Sequence, residues 1–170
     1  MYQRRVGLAL IVLATTILLI GCGDSTGPDQ ADPGTSGPEF VTMTRDGNPW
    51  VPETSSFSML GPGHASFGWD RYIAGTPYRE GIAILLHNYT GVGDYVLSDP
   101  AADGYGAYGV SDTSTNTSTG VATTSAHPGR LRISGFDPAD STMAGNFRFD
   151  LYSYEGTRTS FAGSFRLRHP

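Results

Sequence analysis

Three things are scarce in this chain: it has no lysine, a single cysteine, and no long apolar run after the stretch from Val6 to Ile20. A lone cysteine cannot close an intrachain disulfide, so no covalent framework supports the fold. No amphipathic helix of useful length can be read after Ile20, which removes the crossover helices that a parallel sheet requires. The 11 basic residues are all arginine, a pattern read first as genomic compositional bias. Chemical motifs are missing too: there is no G-x-S-x-G nucleophile elbow, no H-E-x-x-H and no His-x-His pair. Gly104-Tyr105-Gly106-Ala107-Tyr108-Gly109 matches G-x-G-x-x-G in letters. The residues after it, Val110 to Ser114, show no helical period, so the helix N-terminus that would receive phosphates is lacking. The match reads as a glycine-rich strand or turn.

What is present begins with an address. Arg4 and Arg5 precede an uncharged stretch rich in Leu, Ile, Val and Ala, which ends at Leu19-Ile20-Gly21-Cys22. This is the pattern of a secretory signal peptide. The stretch falls short of the roughly 20 apolar residues that span a bilayer. The four final residues resemble the bacterial lipobox. That resemblance implies cleavage between Gly21 and Cys22, and a diacylglycerol on the sulfur of Cys22 at the mature N-terminus. One acyl chain binds a membrane marginally and two anchor stably, so membrane attachment through lipidated Cys22 is expected. Among Gram-negative lipoproteins an Asp after the cysteine signals inner-membrane retention; here Gly23 follows, which favours the outer membrane, on its periplasmic or surface face. Loss of the leader removes Arg4 and Arg5 and leaves nine arginines against 16 acids, a net charge of −7. Nucleic acid is therefore not an expected partner.

Residues 22–39 read as the lipidated cysteine and a flexible linker, because Gly, Pro, Ser, Thr and Asp dominate and only Ala31 offers apolar burial. As a coil it would reach on the order of 20–25 Å. Residues 40–170 read as one domain of short strands. Asp46-Gly47-Asn48-Pro49 is a turn signal, and further strands are expected from Trp50 to Leu60, His64 to Ile73, Gly81 to His87, Tyr95 to Ser98 and Tyr105 to Val110, with Gly120 to Ser125 a weaker one. Ser111 to Thr119, with no apolar residue, reads as a loop. The last third alternates cleanly: Leu131 and Ile133, then Phe147, Phe149 and Leu151, then Phe161, Phe165 and Leu167, each against polar neighbours. A period of two means one buried and one wet face. The fold class is all-β, an antiparallel β-sandwich or flattened barrel of about eight to ten strands.

The opening Thr42 to Trp50, with Asp46-Gly47 before Trp50, resembles the start of a family of uncharacterised bacterial lipoproteins, a domain of unknown function common in Bacteroidota-like genomes. Ile82 to Leu86, Gly93-Asp94-Tyr95-Val96-Leu97, Ala107-Tyr108, Gly129 to Ile133 with Phe136-Asp137, Ala144 to Phe149 and Phe161 to Phe165 match its later pattern in order. Every matched position is an apolar, aromatic or glycine position of β architecture. The resemblance implies an all-β envelope lipoprotein and carries over no catalytic residue.

Two groups of residues stand out as candidate binding surfaces. Arg130, Arg132, Arg148, Arg166 and Arg168 fall on the outward faces of three segments that can be neighbours, giving a patch for an anion or a protein partner. Trp69, Tyr72, Tyr78, Tyr105 and Tyr108 crowd the middle third, where aromatic rings can stack on a glycan or grip an envelope protein. Glu53, Asp70, Glu80 and Asp94 are carboxylates that can meet across strands. The four histidines are widely spaced, so no metal ligand set and no cofactor is expected. The expected function is that of a lipid-anchored envelope lipoprotein with a non-enzymatic β-domain, binding or structural. The alternatives are a calycin-like carrier of a small apolar ligand and, behind it, an envelope hydrolase.

Overall fold

The computed structural model describes residues 32–101 and 103–169. Eleven strands run in chain order: β1 (Phe40–Arg45), β2 (Asn48–Pro49), β3 (Thr54–Gly61), β4 (His64–Tyr72), β5 (Tyr78–Leu86), β6 (Gly93–Leu97), β7 (Gly104–Asp112), β8 (Thr117–Ala122), β9 (Gly129–Asp137), β10 (Thr142–Tyr152) and β11 (Arg158–Arg168). They form two antiparallel sheets, one ordered β2-β1-β11-β10-β9-β6 and the other β3-β4-β5-β7-β8. Neither sheet closes on the other by strand pairing, so the domain is a sandwich. No helix occurs among the described residues.

The alternation read from sequence is the alternation of burial. Leu131 and Ile133 of β9 point inward while Arg130 and Arg132 point out, and β10 and β11 repeat the pattern. Aromatic rings from the two sheets meet in step: Phe67 lies 5.0 Å from Phe165, and Trp69 lies 5.1 Å from Phe147. Glycines make room for these rings. Phe147 sits opposite Gly163 in the register, and a Cβ on Gly163 would fall 2.9 Å from the Phe147 ring. Gly106 of β7 has the same relation to Phe149 across the sandwich. All the strongly apolar inward candidates named above are buried, and Tyr95 is half-buried against them.

Turn chemistry explains the hairpins. Asp46 and Gly47 both take positive φ, 51° and 78°, the pairing that a two-residue hairpin turn needs, and Arg45 and Asn48 close it. Ser111 to Thr119, expected as a loop, instead ends β7, turns at 113–116 and opens β8. Asp112 caps this turn by accepting from the Ser114 N–H and hydroxyl, at 2.8 and 2.6 Å. An edge strand exposed on both faces needs no apolar residue, so hydrophobic periodicity is silent there. Both strands of this hairpin begin or end outside the expected Tyr105–Val110 and Gly120–Ser125, and the two-residue β2, read as part of a turn, brings the count to eleven.

The register of β9 against β10 shifts between Ala144 and Gly145, which pair with Gly135 and Ile133 and leave Ser134 without an opposite residue. Such a bulge re-aims the extra side chain.

The two faces of the C-terminal strands should respond very differently to truncation. Phe147→Ala should cost about 3–5 kcal/mol in denaturant unfolding, through the lost burial and the cavity left between Trp69 and Gly163. Arg130→Ala, on the outer face of β9, should stay within about 1 kcal/mol. Equal losses would show that the faces are misassigned.

Candidate functional site

Gly21 and Cys22 lie outside the described residues. The five outward arginines share one sheet face but are strung along it: Arg130 stands opposite Arg148 and Arg132 opposite Asn146, whereas Arg166 and Arg168 of β11 stand opposite Ala144 and Thr142, four and six residues from Arg148 along β10. Most of this face is already occupied by the chain itself. Residues 32–39, read from composition as part of a flexible linker, lie across it. Asp32 accepts from Arg132 Nε and Asn146 Nδ2, each at 2.8 Å. The Ser134 hydroxyl, freed by the bulge, donates to the Pro33 carbonyl at 2.6 Å. Arg166 donates to the carbonyls of Gly34 and Pro38, and Glu39 accepts from the Arg168 backbone N–H. Arg132 also meets Asp94, and Arg168 meets Asp140.

The aromatic group does not form one surface. Trp69 is fully buried between Phe67 and Phe147, whereas Tyr72, three residues on, points to the opposite face and is exposed. An odd separation on a strand always splits a pair this way. Tyr105 and Tyr108 split likewise: Tyr105 lies near His87 on the outside, and Tyr108 turns inward onto Phe161. Tyr78 is exposed at the start of β5. The four carboxylates also separate. Asp70 pairs with Arg79, Asp94 with Arg132, and Glu53 accepts from the Tyr72 N–H. His64 and His87 approach each other, with ring centres 5.6 Å apart, while His127 stacks on Tyr152 and His169 meets Phe57. Among the described residues no three His, Cys, Asp or Glu side chains converge in a way that could hold a metal ion.

The cluster that the structure assembles is centred on Glu80. Its parity on β5 is that of Ile82, Ile84 and Leu86, so it points into the sandwich and is only 2% exposed. Four donors surround it. Trp50 Nε1 donates to Oε1 at 3.1 Å, and Arg71 Nε makes a very short bond to the same oxygen. Tyr108 OH donates to Oε2 at 2.6 Å, and Arg45 Nη1 reaches Oε2 at 3.2 Å and the Tyr108 oxygen at 3.1 Å. Arg45 and Trp50 come with the β1–β2 sheet, and Arg71, Glu80 and Tyr108 come from the other. Rings cover the cations: Arg45 lies 4.9 Å from the Tyr108 ring centre and Arg71 4.9 Å from that of Trp50.

Burial alone would push the Glu80 carboxyl up, but the hydrogen bonds from Tyr108, Arg71 and Trp50 and the Arg71 charge outweigh it and hold it below 4.5. Burial, followed by donation to Glu80 and the nearness of its charge, pushes the Tyr108 phenol up to about 12 despite the opposing Arg45. A carboxylate accepts at about four lone-pair sites, and all are filled here. Glu80 is thus a fixed anion rather than a general base near neutrality.

Sequence reading missed this cluster because it began the strand at Gly81, three residues after β5 opens at Tyr78, and so left Glu80 outside it. The available signal was parity. Arg45 follows Met43, Arg71 follows Trp69 and Glu80 precedes Ile82 on inward positions, so three charges lie on apolar faces.

Glu80→Gln should destabilise the domain by about 3 kcal/mol at neutral pH, because two cations lose their buried counter-charge. Because the folded carboxyl titrates below 4.5, its contribution is fully present above that value and is lost as pH falls through the lowered one. Denaturant unfolding from pH 3 to 7 should show a shallower acid slope in Glu80→Gln than in the parent. At the other limb, the stability tied to Tyr108 is present below 10 and is lost as pH rises towards about 12. Tyr108→Phe should remove that alkaline component and cost about 1.5–3 kcal/mol at neutrality. Identical limbs in parent and variants would show that the cluster is not formed. Separately, Asp32→Ala should speed amide exchange over residues 32–39 with under about 1 kcal/mol of global effect.

Compared with protein-family models, with curated proteins and with solved structures, the chain matches none.

Proposed function

We propose that this chain is a lipid-anchored envelope lipoprotein whose β-sandwich acts through its surface, as a binding or structural module without catalysis. The single observation that carries the choice among functions is the filled interior. Phe67, Trp69, Phe147 and Phe165 stack across the sandwich with ring centres 5.0–6.2 Å apart, where a calycin-like carrier would keep its ligand. A groove of about 220 Å³ lies instead at the sheet edges, lined by Val41, Val51, Pro52 and Leu167 with Glu39 and Glu53. The saturated Glu80 carboxylate supports a non-enzymatic role, since it has no free lone pair to take a proton. The signal pattern ending at Gly21-Cys22, and the resemblance to the uncharacterised lipoprotein family, support the anchor and an outer-membrane address.

Two measurements test this reading. In a Gram-negative host, Cys22→Ala should yield protein without lipid that leaves the membrane fraction, whereas full retention of the variant would overturn the anchor. Added fatty acids should leave the melting temperature unchanged. A true carrier would gain about 2.7 kcal/mol at a hundredfold excess of ligand over Kd, so a saturable shift would promote the carrier reading.

A further inference from the structure

The cluster around Glu80 has charge left over. Two guanidinium cations share one carboxylate, while Arg79, Arg132, Arg158 and Arg168 each have at least one acid of their own. Glu80 is buried, yet the Arg45 and Arg71 side chains remain 38% and 33% exposed, so the surplus positive charge meets solvent. The acids next to them in the fold are engaged elsewhere: Asp46 accepts from the Ser160 N–H and Glu53 from the Tyr72 N–H, Asp70 pairs with Arg79, and Asp112, opposite Tyr78 in the register, accepts from Ser114.

The unused donors are well defined. Arg45 engages only Nη1, and Arg71 only Nε. One planar face of each guanidinium lies against a ring, so the free donors are along the edges: Nε and Nη2 of Arg45, Nη1 and Nη2 of Arg71. Among the described residues these donors have no partner. A guanidinium edge offers two parallel N–H groups that match the two oxygens of a carboxylate or phosphate. Glu80 and the rings hold the forks in place, so little rotamer freedom remains to be lost on binding. Tyr78 stands two residues before Glu80 on the same face of β5, one step nearer the β4–β5 turn, and is 42% exposed.

We propose that Arg45 and Arg71 form a binding site for an oxyanion, a carboxylate or a phosphate, carried on a ligand whose ring or apolar body rests on Tyr78. This rests on the surface-binding reading above and gives it a ligand class.

Titration of the full-length protein in detergent micelles with phenyl phosphate, benzoate and inorganic phosphate tests the site, followed through the arginine Nε–Hε NMR signals. Phenyl phosphate or benzoate should shift Arg45 and Arg71 saturably, about tenfold more tightly than inorganic phosphate, while Arg130 shows no saturable change. The tighter of the two organic probes tells a phosphate from a carboxylate ligand. Arg71→Lys keeps the charge but loses the fork, and should weaken binding about tenfold. Should that variant fail to fold, Tyr78→Ala leaves the clamp intact and should weaken the organic probes while sparing inorganic phosphate. Non-saturating shifts, shifts equal to those of Arg130, or affinities unchanged in the folded variants would overturn the site. The anchor reading is tested independently by fractionation of Cys22→Ala, so a flat titration with normal fractionation removes the oxyanion site alone.

Discussion

With no helix among the described residues to cover either sheet, the two sheets of this domain must cover each other, and the rest of the structure follows from that constraint. Each strand can bury only every second residue, so the interior is built from few positions and those positions are large. Rings of Phe67, Trp69, Phe147 and Phe165 fill the gap, and glycine is the residue that lets a ring lie flat against the neighbouring strand. The high glycine content of the chain is therefore partly a packing requirement. A methyl group at Gly163 would meet Met43 and Phe147 together, so bulk on one strand is matched by its absence on the next.

At one end of the sandwich the apolar filling gives way to a charged one. A buried ion cluster is an uncertain source of stability, since desolvation opposes the attraction, but it is a demanding one geometrically. The four donors on Glu80 come from β1, β4 and β7 and from Trp50 just after β2, so each must be in place for the carboxylate to be satisfied. Apolar contacts tolerate some sliding of one sheet over the other. This cluster does not, and it therefore sets how the two sheets sit at that end.

Features that repeat locally were legible in the sequence. Phe147, Phe149 and Leu151 alternate with polar residues, and Asp46-Gly47 adopts the turn its chemistry favours. Features without an apolar pattern were not: Thr117, Ser118 and Thr119 open β8 with no apolar residue, and what makes them a strand is pairing with β7. The Glu80 cluster joins residues 9, 28, 30 and 35 positions apart, and only the sheet packing brings them together. The outward arginines were legible as a patch, but their occupants were not. Residues 32–39 have the composition of a linker, and what holds them is a set of donors presented by other strands.

That docked segment changes the length of the leash. A trans chain extends at most about 3.6 Å per residue, so a lipid on Cys22 would allow Phe40 to stand up to about 65 Å away if everything between were free. With Asp32 held by Arg132 and Asn146, only ten residue steps would lie between a lipid on Cys22 and the domain surface. The limit falls to about 36 Å. The attachment point also moves, from the end of β1 to the middle of the outer face of β9 and β10. Under the anchor proposed above, a tether leaving from there would draw that face, rather than the opposite sheet, towards the bilayer.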